Sequence, residues 1–454
     1  MPETAKKQSP FIEESMNILF KEKAAIKENG PQSCTATSRL RIVETCNHIE
    51  PDRLAVDFGG CGQTGIHVSI VYRLRQHFGL DKPGTPVKIV EPYQMLGEVA
   101  DDLAEILHSD TVPVTGTSTM FGFPQKEFKE FLLHDGTPTL VPVDFNTQYE
   151  PNGRLFQYPC GDRTCEPGCV MPAGGFFFDG IVRQEPIVEE QLNPEDNLEE
   201  FDFVEETELE YYAGESKRLF ETTDRALFCG FGGLSFGDVA LVPGPFLRHP
   251  KGIRDIAEWY VSLATRKNFI HAVFERQTEI AVENLERLHN AVGERITVIH
   301  TNGTDFGTQN GPFLSTKSYR ELFLPYQKRI NAWIHANTTW KTFMHCCGGV
   351  RPLLDAFAEA EFDILNPVQC SAAGMDGKAL KKEYGKTFVF WGGGVDTQKT
   401  LPFGSPDEVR QEVGERIETF APGGGFVFSS IHNVQALTPI ENLLAMIETV
   451  GRYA

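Results

Sequence analysis

The sequence predicts an α/β chain folded as a (β/α)8 barrel of the TIM type, and three observations carry that expectation. Short apolar runs alternate with longer stretches of helical period from Leu54 onward, the pattern of a parallel sheet flanked by helices. No Walker-type phosphate loop occurs, which weakens the open, nucleotide-binding sheet as the competing solution. Polar and ligand-type residues gather just after successive apolar runs in the C-terminal half, where barrel enzymes keep their chemistry.

The elements follow in chain order. Between residues 10 and 26, Phe11, Met16, Leu19 and Phe20 recur at helical spacing behind Pro10, so an amphipathic helix is expected there. Residues 1–50 are accordingly read as an N-terminal helical extension on a main barrel domain of residues 51–454. The runs 87–90, 139–143, 226–230 and 296–299 are candidate strands, followed by 339–343, 362–365, 388–391 and 425–428. Ser405-Pro406-Asp407-Glu408 and Thr438-Pro439-Ile440-Glu441 each offer a capping hydroxyl, a first-turn proline and an acid three positions on. Residues 145–210 break the alternation with Pro, Gly, three cysteines and an acidic run from Glu189 to Glu210. They are read as an insertion, serving as a lid or as a contact between copies of a homo-oligomer. The acidic run is read first as a solvated loop and second as a guide for a partner.

The net charge of −21 argues against nucleic acid as a general partner. No apolar run reaches the ~18 residues a membrane helix requires. Ten cysteines without a regular framework, and no leader-like N-terminus, lead us to expect a cytoplasmic enzyme.

The most informative segment is Met344-His345-Cys346-Cys347-Gly348-Gly349. On a strand, alternation sends His345 and Cys347 to one side and Cys346 to the other. An imidazole and a thiol two residues apart suit one zinc ion. Other strand ends supply Asp305 and Gln309, then Asn366, Gln369 and Cys370, then Gly392-Gly393-Gly394-Val395-Asp396, and last His432 and Asn433. A second grouping, Cys160, Cys165 and Cys169, offers a metal-binding or redox module, though three cysteines without a close fourth ligand are not a strong signature.

Several segments resemble the uroporphyrinogen decarboxylase superfamily: Asp305-Phe306-Gly307-Thr308-Gln309-Asn310-Gly311-Pro312, Ser318-Tyr319-Arg320-Glu321, Pro325-Tyr326-Gln327-Lys328-Arg329-Ile330, His345-Cys346-Cys347-Gly348, and Gly423-Gly424-Gly425-Phe426 followed by Thr438-Pro439-Ile440-Glu441-Asn442. The likeness is strongest over residues 296–448 and implies a (β/α)8 barrel. The arginine-rich signature of the true decarboxylases is missing. Residues 59–67 read Gly-Gly-Cys-Gly-Gln-Thr-Gly-Ile-His without an arginine, whereas an octa-anionic tetrapyrrole needs several cations at the mouth. The resemblance is closer to the cobamide-dependent methyltransferase branch, which holds zinc through a His-x-Cys pair and a cysteine near the last strand. His345 and Cys347 match that pair. The third position departs, with His432 standing where those enzymes place cysteine, and Cys370 is a rival third ligand.

The resemblance therefore implies a zinc-dependent methyltransferase, moving a methyl group from a small methylated, methoxy-type compound to a corrinoid carried by a separate protein. No Asp-x-His-x-x-Gly corrinoid motif occurs in the chain. The expected site has His345, Cys347 and His432 (or Cys370) on Zn2+, with His345 and Asp305 as catalytic groups. Asp305 would position the substrate or orient a ligand histidine, and Gln309, Asn366 and Gln369 would contact the substrate. The alternative is a metal-free decarboxylase of the uroporphyrinogen decarboxylase type acting on a different substrate.

Overall fold

A computed structural model describes residues 36–231, 234 and 236–454. The helix expected over residues 10–26 lies outside the described residues. Eight parallel strands form one sheet around the core: β1 (Ala55–Val56), β2 (Thr111–Val114), β3 (Ala226–Gly230), β4 (Ile296–Asn302), β5 (Lys341–His345), β6 (Ile364–Asn366), β7 (Val389–Trp391) and β8 (Phe426–Phe428). They follow one another around the sheet in chain order, and β8 returns to pair with β1. The remaining seam, between β1 and β2, is bridged by Asp110 N–H donating to Val56 O at 2.7 Å and Phe58 N–H donating to Ser109 Oγ at 3.0 Å. This is a (β/α)8 barrel.

The interior is built by alternation. Phe228, Val298, Phe343, Ile364, Val389, Trp391 and Val427 pack together inside the sheet, because every second residue of a barrel strand faces in. Phe228, Phe343 and Trp391 form a triangle of edge-on rings with centroids 4.8–5.9 Å apart. The helix Ser38–Cys46 adds Ile42 and Cys46 to this cluster. Its start is fixed by Thr37, whose side chain accepts from Leu40 N–H. Above the apolar layer the carboxylate of Asp57 is fully buried and accepts from Trp391 Nε1 at 2.8 Å, Thr111 Oγ1 at 2.5 Å and Gly60 N–H at 2.8 Å.

Not every apolar run joins the barrel. Val87–Glu91 and Pro138–Pro142 are strands, but they pair in a separate five-stranded sheet with Ile66–His67, Leu96–Gly97 and Phe128–Leu132. Periodicity reports a half-buried strand and says nothing of its partner. The barrel's true second strand, Thr111–Val114, carries Pro113, which masks it as a sequence signal. The proline is tolerated beside the sparsely bonded seam, where an N–H is not needed. Gly60-Cys61-Gly62-Gln63-Thr64-Gly65, just after β1, has the G-x-G-x-x-G spacing, which marks a dinucleotide-binding sheet only where it opens an α-helix. Here it forms a single 3-10 turn at Gly62–Thr64 and leads into the strand Ile66–His67 before the α-helix Val68–His77 begins. Closure of the barrel overrules it.

Residues 155–180 form a three-stranded antiparallel sheet. The acidic run is mostly exposed, and two of its members are also paired: Glu200 with the buried Arg254 at 2.9 Å, and Glu189 with Arg266. Ser405 and Glu408 make the expected reciprocal cap. Thr438 does not: its hydroxyl donates to Gln435 O at 2.8 Å, and the last helix, Ile440–Val450, starts without a side-chain cap. Among the described residues no helix is long and apolar enough to cross a membrane.

Candidate metal centre and active site

His345 ends β5 and shares the inward face with Phe343. Its Nδ1 lies 2.6 Å from Asn366 Oδ1, the residue opposite it in register on β6. The amide's orientation is set at its other end, where Nδ2 donates to Trp391 O at 2.9 Å. Nδ1 of His345 therefore carries the proton, and the lone pair sits on Nε2. Nε2 is 3.4 Å from Cys347 Sγ. Two such donors sharing a tetrahedral zinc are separated by about 3.6 Å.

Cys347 lies just past the strand end. Its N–H donates to Asp305 Oδ1 at 2.6 Å, and the same oxygen is 3.9 Å from His345 Nε2. Cys346 turns outward and is buried, its sulfur accepting from Phe306 N–H at 3.2 Å. The segment 347–348 is pressed against Gly307. A Cβ on Gly307 would meet Cys347 O at 2.4 Å, and one on Gly348, whose φ is +92°, would meet the Gly307 carbonyl carbon at 2.5 Å. Glycine is required at both positions.

His432 arrives from the loop after β8. Its ring centroid is 5.5 Å from that of His345, edge-on. Ligand atoms of His345, Cys347 and His432 all lie within 4.8 Å of one another, and among the described residues this is the only such grouping of three. Burial lowers the His432 imidazole to about 4, leaving it neutral, as a ligand must be. Burial, reinforced by Asp305, pushes the Cys347 thiol well above its ordinary range, so a nearby cation is what would release its proton. The donor set of two imidazoles, one thiol and an open side fits a catalytic zinc.

Cys370 is not brought to this cluster. Its sulfur sits beside Gly377, where a Cβ would lie 3.5 Å away. Cys160, Cys165 and Cys169 do not converge either: Cys160 Sγ reaches toward Phe246 O at 3.9 Å, Cys165 Sγ toward Asp162 O at 3.0 Å, and Cys169 is buried within its strand. The group on the far nitrogen of His345 is Asn366 rather than Asp305.

A family model described as "Uroporphyrinogen decarboxylase (URO-D)" matches residues 181–453. The chain belongs to the URO-D family. No curated protein matches it. Among solved structures, a methyltransferase from Methanosarcina mazei is similar in fold, with a TM-score of 0.50 at 14% identity, covering 92% of this chain and 99% of that one.

Within this URO-D family chain a cavity of about 150 Å³ opens beside the cluster, touching Cys347 and His432. Gln309 and Gln369 line it, and both donate to Gln398 Oε1, at 3.0 and 3.4 Å. Gln369 Oε1 also accepts from Gly348 N–H at 2.8 Å, which steadies the loop carrying Cys347. Asn366 is not offered to the cavity, because both ends of its amide are engaged in holding His345. The sequence places Asp396 at a strand end without a role and does not single out Gln398; both line the cavity. The available signal was position: each follows the Gly392–Gly394 run just past β7.

Proposed function

We propose that this URO-D family member is a zinc-dependent methyltransferase, moving a methyl group from a small methoxy-type compound to the cobalt of a separate corrinoid protein. The observation that carries the reading is the convergence of one sulfur and two imidazole nitrogens, from the end of β5 and the loop after β8, within 4.8 Å. Zinc held by His345, Cys347 and His432 would supply Lewis acidity toward the donor's leaving atom. Two neutral imidazoles and one thiolate leave such a metal more electrophilic than a two-thiolate set does.

The chain's own residues do the rest. Asn366 holds His345 in the tautomer that presents Nε2. Asp305 fixes the Cys347 backbone and places a negative charge beside the ligands. Gln309 and Gln369 present amides to the donor. In the net reaction the donor's carbon–oxygen bond breaks and its electron pair stays on oxygen. The reduced cobalt supplies both electrons of the new cobalt–carbon bond, and a proton from solvent ends on the released alcohol.

The alternative, metal-free decarboxylation of a different substrate, would still need a cation to hold the substrate's carboxylate, and none of the residues lining the cavity is Lys or Arg. The test is to load the chain with zinc, add reduced corrinoid protein and a panel of methoxy compounds, and follow methylcobalt absorbance. Zinc near one per chain and donor-dependent methylcobalt are expected. Zinc-loaded protein that stays silent across the panel would defeat the reading.

A further inference from the structure

Asp396 is 7% exposed and lines the cavity beside His432. Its two oxygens have different fates. Oδ1 closes the loop after β7, accepting from Gln398 N–H at 2.7 Å and Lys399 N–H at 3.0 Å. Oδ2 has no hydrogen-bond or ion-pair partner among the described residues. Oδ2 is not among the buried side-chain atoms left without a partner, so it meets the solvent of the cavity and is open to a donor on a bound molecule.

The wall around it supplies no counter-charge. Gln309, Gln369, Gln398, Thr308, Thr397 and Ser371 furnish amides and hydroxyls. No lining residue is Lys or Arg, and the imidazole of His432 is the only ring. Such a wall repels an anion, offers no face for stacking an aromatic ring, and has one acceptor oxygen waiting for a donor.

We propose that Asp396 selects the methyl donor: the site takes a small, non-anionic compound that carries a hydroxyl or protonated amine away from its methyl group, and Oδ2 receives that group. This rests on the methyl-transfer reading and narrows it. The methyl end lies toward His345, Cys347 and His432, and the hydrogen-bond-donating end toward the loop after β7. Asp396 takes no part in bond breaking. It sets which molecule is held.

The test uses the zinc-loaded full chain with cob(I)alamin as acceptor and three donors of matched size: 2-methoxyethanol, 2-methoxyethylamine and methoxyacetate. Methylcobalt formation should favour the alcohol and the amine over the anion by about tenfold or more in kcat/KM. Asp396→Asn keeps the Oδ1 cap while removing the charge. It should raise KM for the amine about tenfold with kcat little changed, and narrow its advantage over methoxyacetate. Calorimetric binding of the same compounds, without corrinoid, should show the same ranking. If no donor methylates cobalt yet the amine binds and methoxyacetate does not, the chemistry is wrong and the selectivity stands. If methoxyacetate binds or reacts as well as the amine, or Asp396→Asn leaves their ratio unchanged, the inference is overturned.

Discussion

Asn366 Oδ1 lies 2.6 Å from His345 Nδ1, and the same amide is anchored by donating to Trp391 O at 2.9 Å. The chain of contacts runs from the Trp391 backbone carbonyl at the end of β7, through an amide, to Nδ1 of His345, whose other nitrogen faces Cys347. The neighbouring strand's backbone is thereby coupled to the orientation of a candidate ligand.

Replacing Asn366 with Ala should therefore weaken zinc binding by about 10–100-fold without removing any ligand, the usual effect of losing an orienting partner. Competition with a chromophoric chelator measures it. Unchanged affinity would mean that the strand alone fixes the imidazole.

The ligand set is tested by elimination. Cys347→Ala and His432→Ala should each abolish stoichiometric zinc, while Cys370→Ala should retain it, as read by elemental analysis of folded protein. Retention in His432→Ala together with loss in Cys370→Ala would reverse the assignment.

The Asp57 carboxylate depends on its donors. Burial pushes its pKa up, and Trp391, Thr111 and Gly60 work against that rise. Trp391→Phe keeps most of the ring packing but leaves one carboxylate oxygen without its indole donor, which should cost about 1–3 kcal/mol. Urea denaturation reads the loss. A variant as stable as the parent would show that another group, such as water, replaces the donor.

His67 gives a pH dependence away from the metal site. Its Nδ1 accepts from Ser69 N–H at 3.2 Å, and Nε2 donates to Phe176 O at 3.0 Å. Burial lowers its pKa from 6.5 to about 4. Between those values the unfolded chain binds a proton that the fold refuses, so stability present above pH 6.5 is lost as the pH falls toward 4. The loss amounts to about 3 kcal/mol at most. His67→Gln should flatten the fall in Tm over that window relative to the parent. Parallel curves for the two proteins would show that His67 titrates normally.

Much of this was legible in the residues themselves. The barrel follows from alternating runs, since strand and helix periods are local properties of the chain. The His345–Cys347 pair is likewise a matter of spacing along one strand. The side sheet was not legible, because Val87–Glu91 and Pro138–Pro142 look like any half-buried strand until their partners are known. Thr111–Val114 was hidden by a proline that only its place at the seam makes tolerable.

The sequence by itself determined that this chain closes into a barrel and that an imidazole and a thiol stand together at the end of its fifth strand. Only the tertiary structure decided that His432, and not Cys370, approaches them, that Asn366 orients His345, and that Asp396 faces the cavity with one oxygen free. These pairings join residues far apart in the chain. Their meeting depends on sheet closure and on the path of each loop, which no local period encodes.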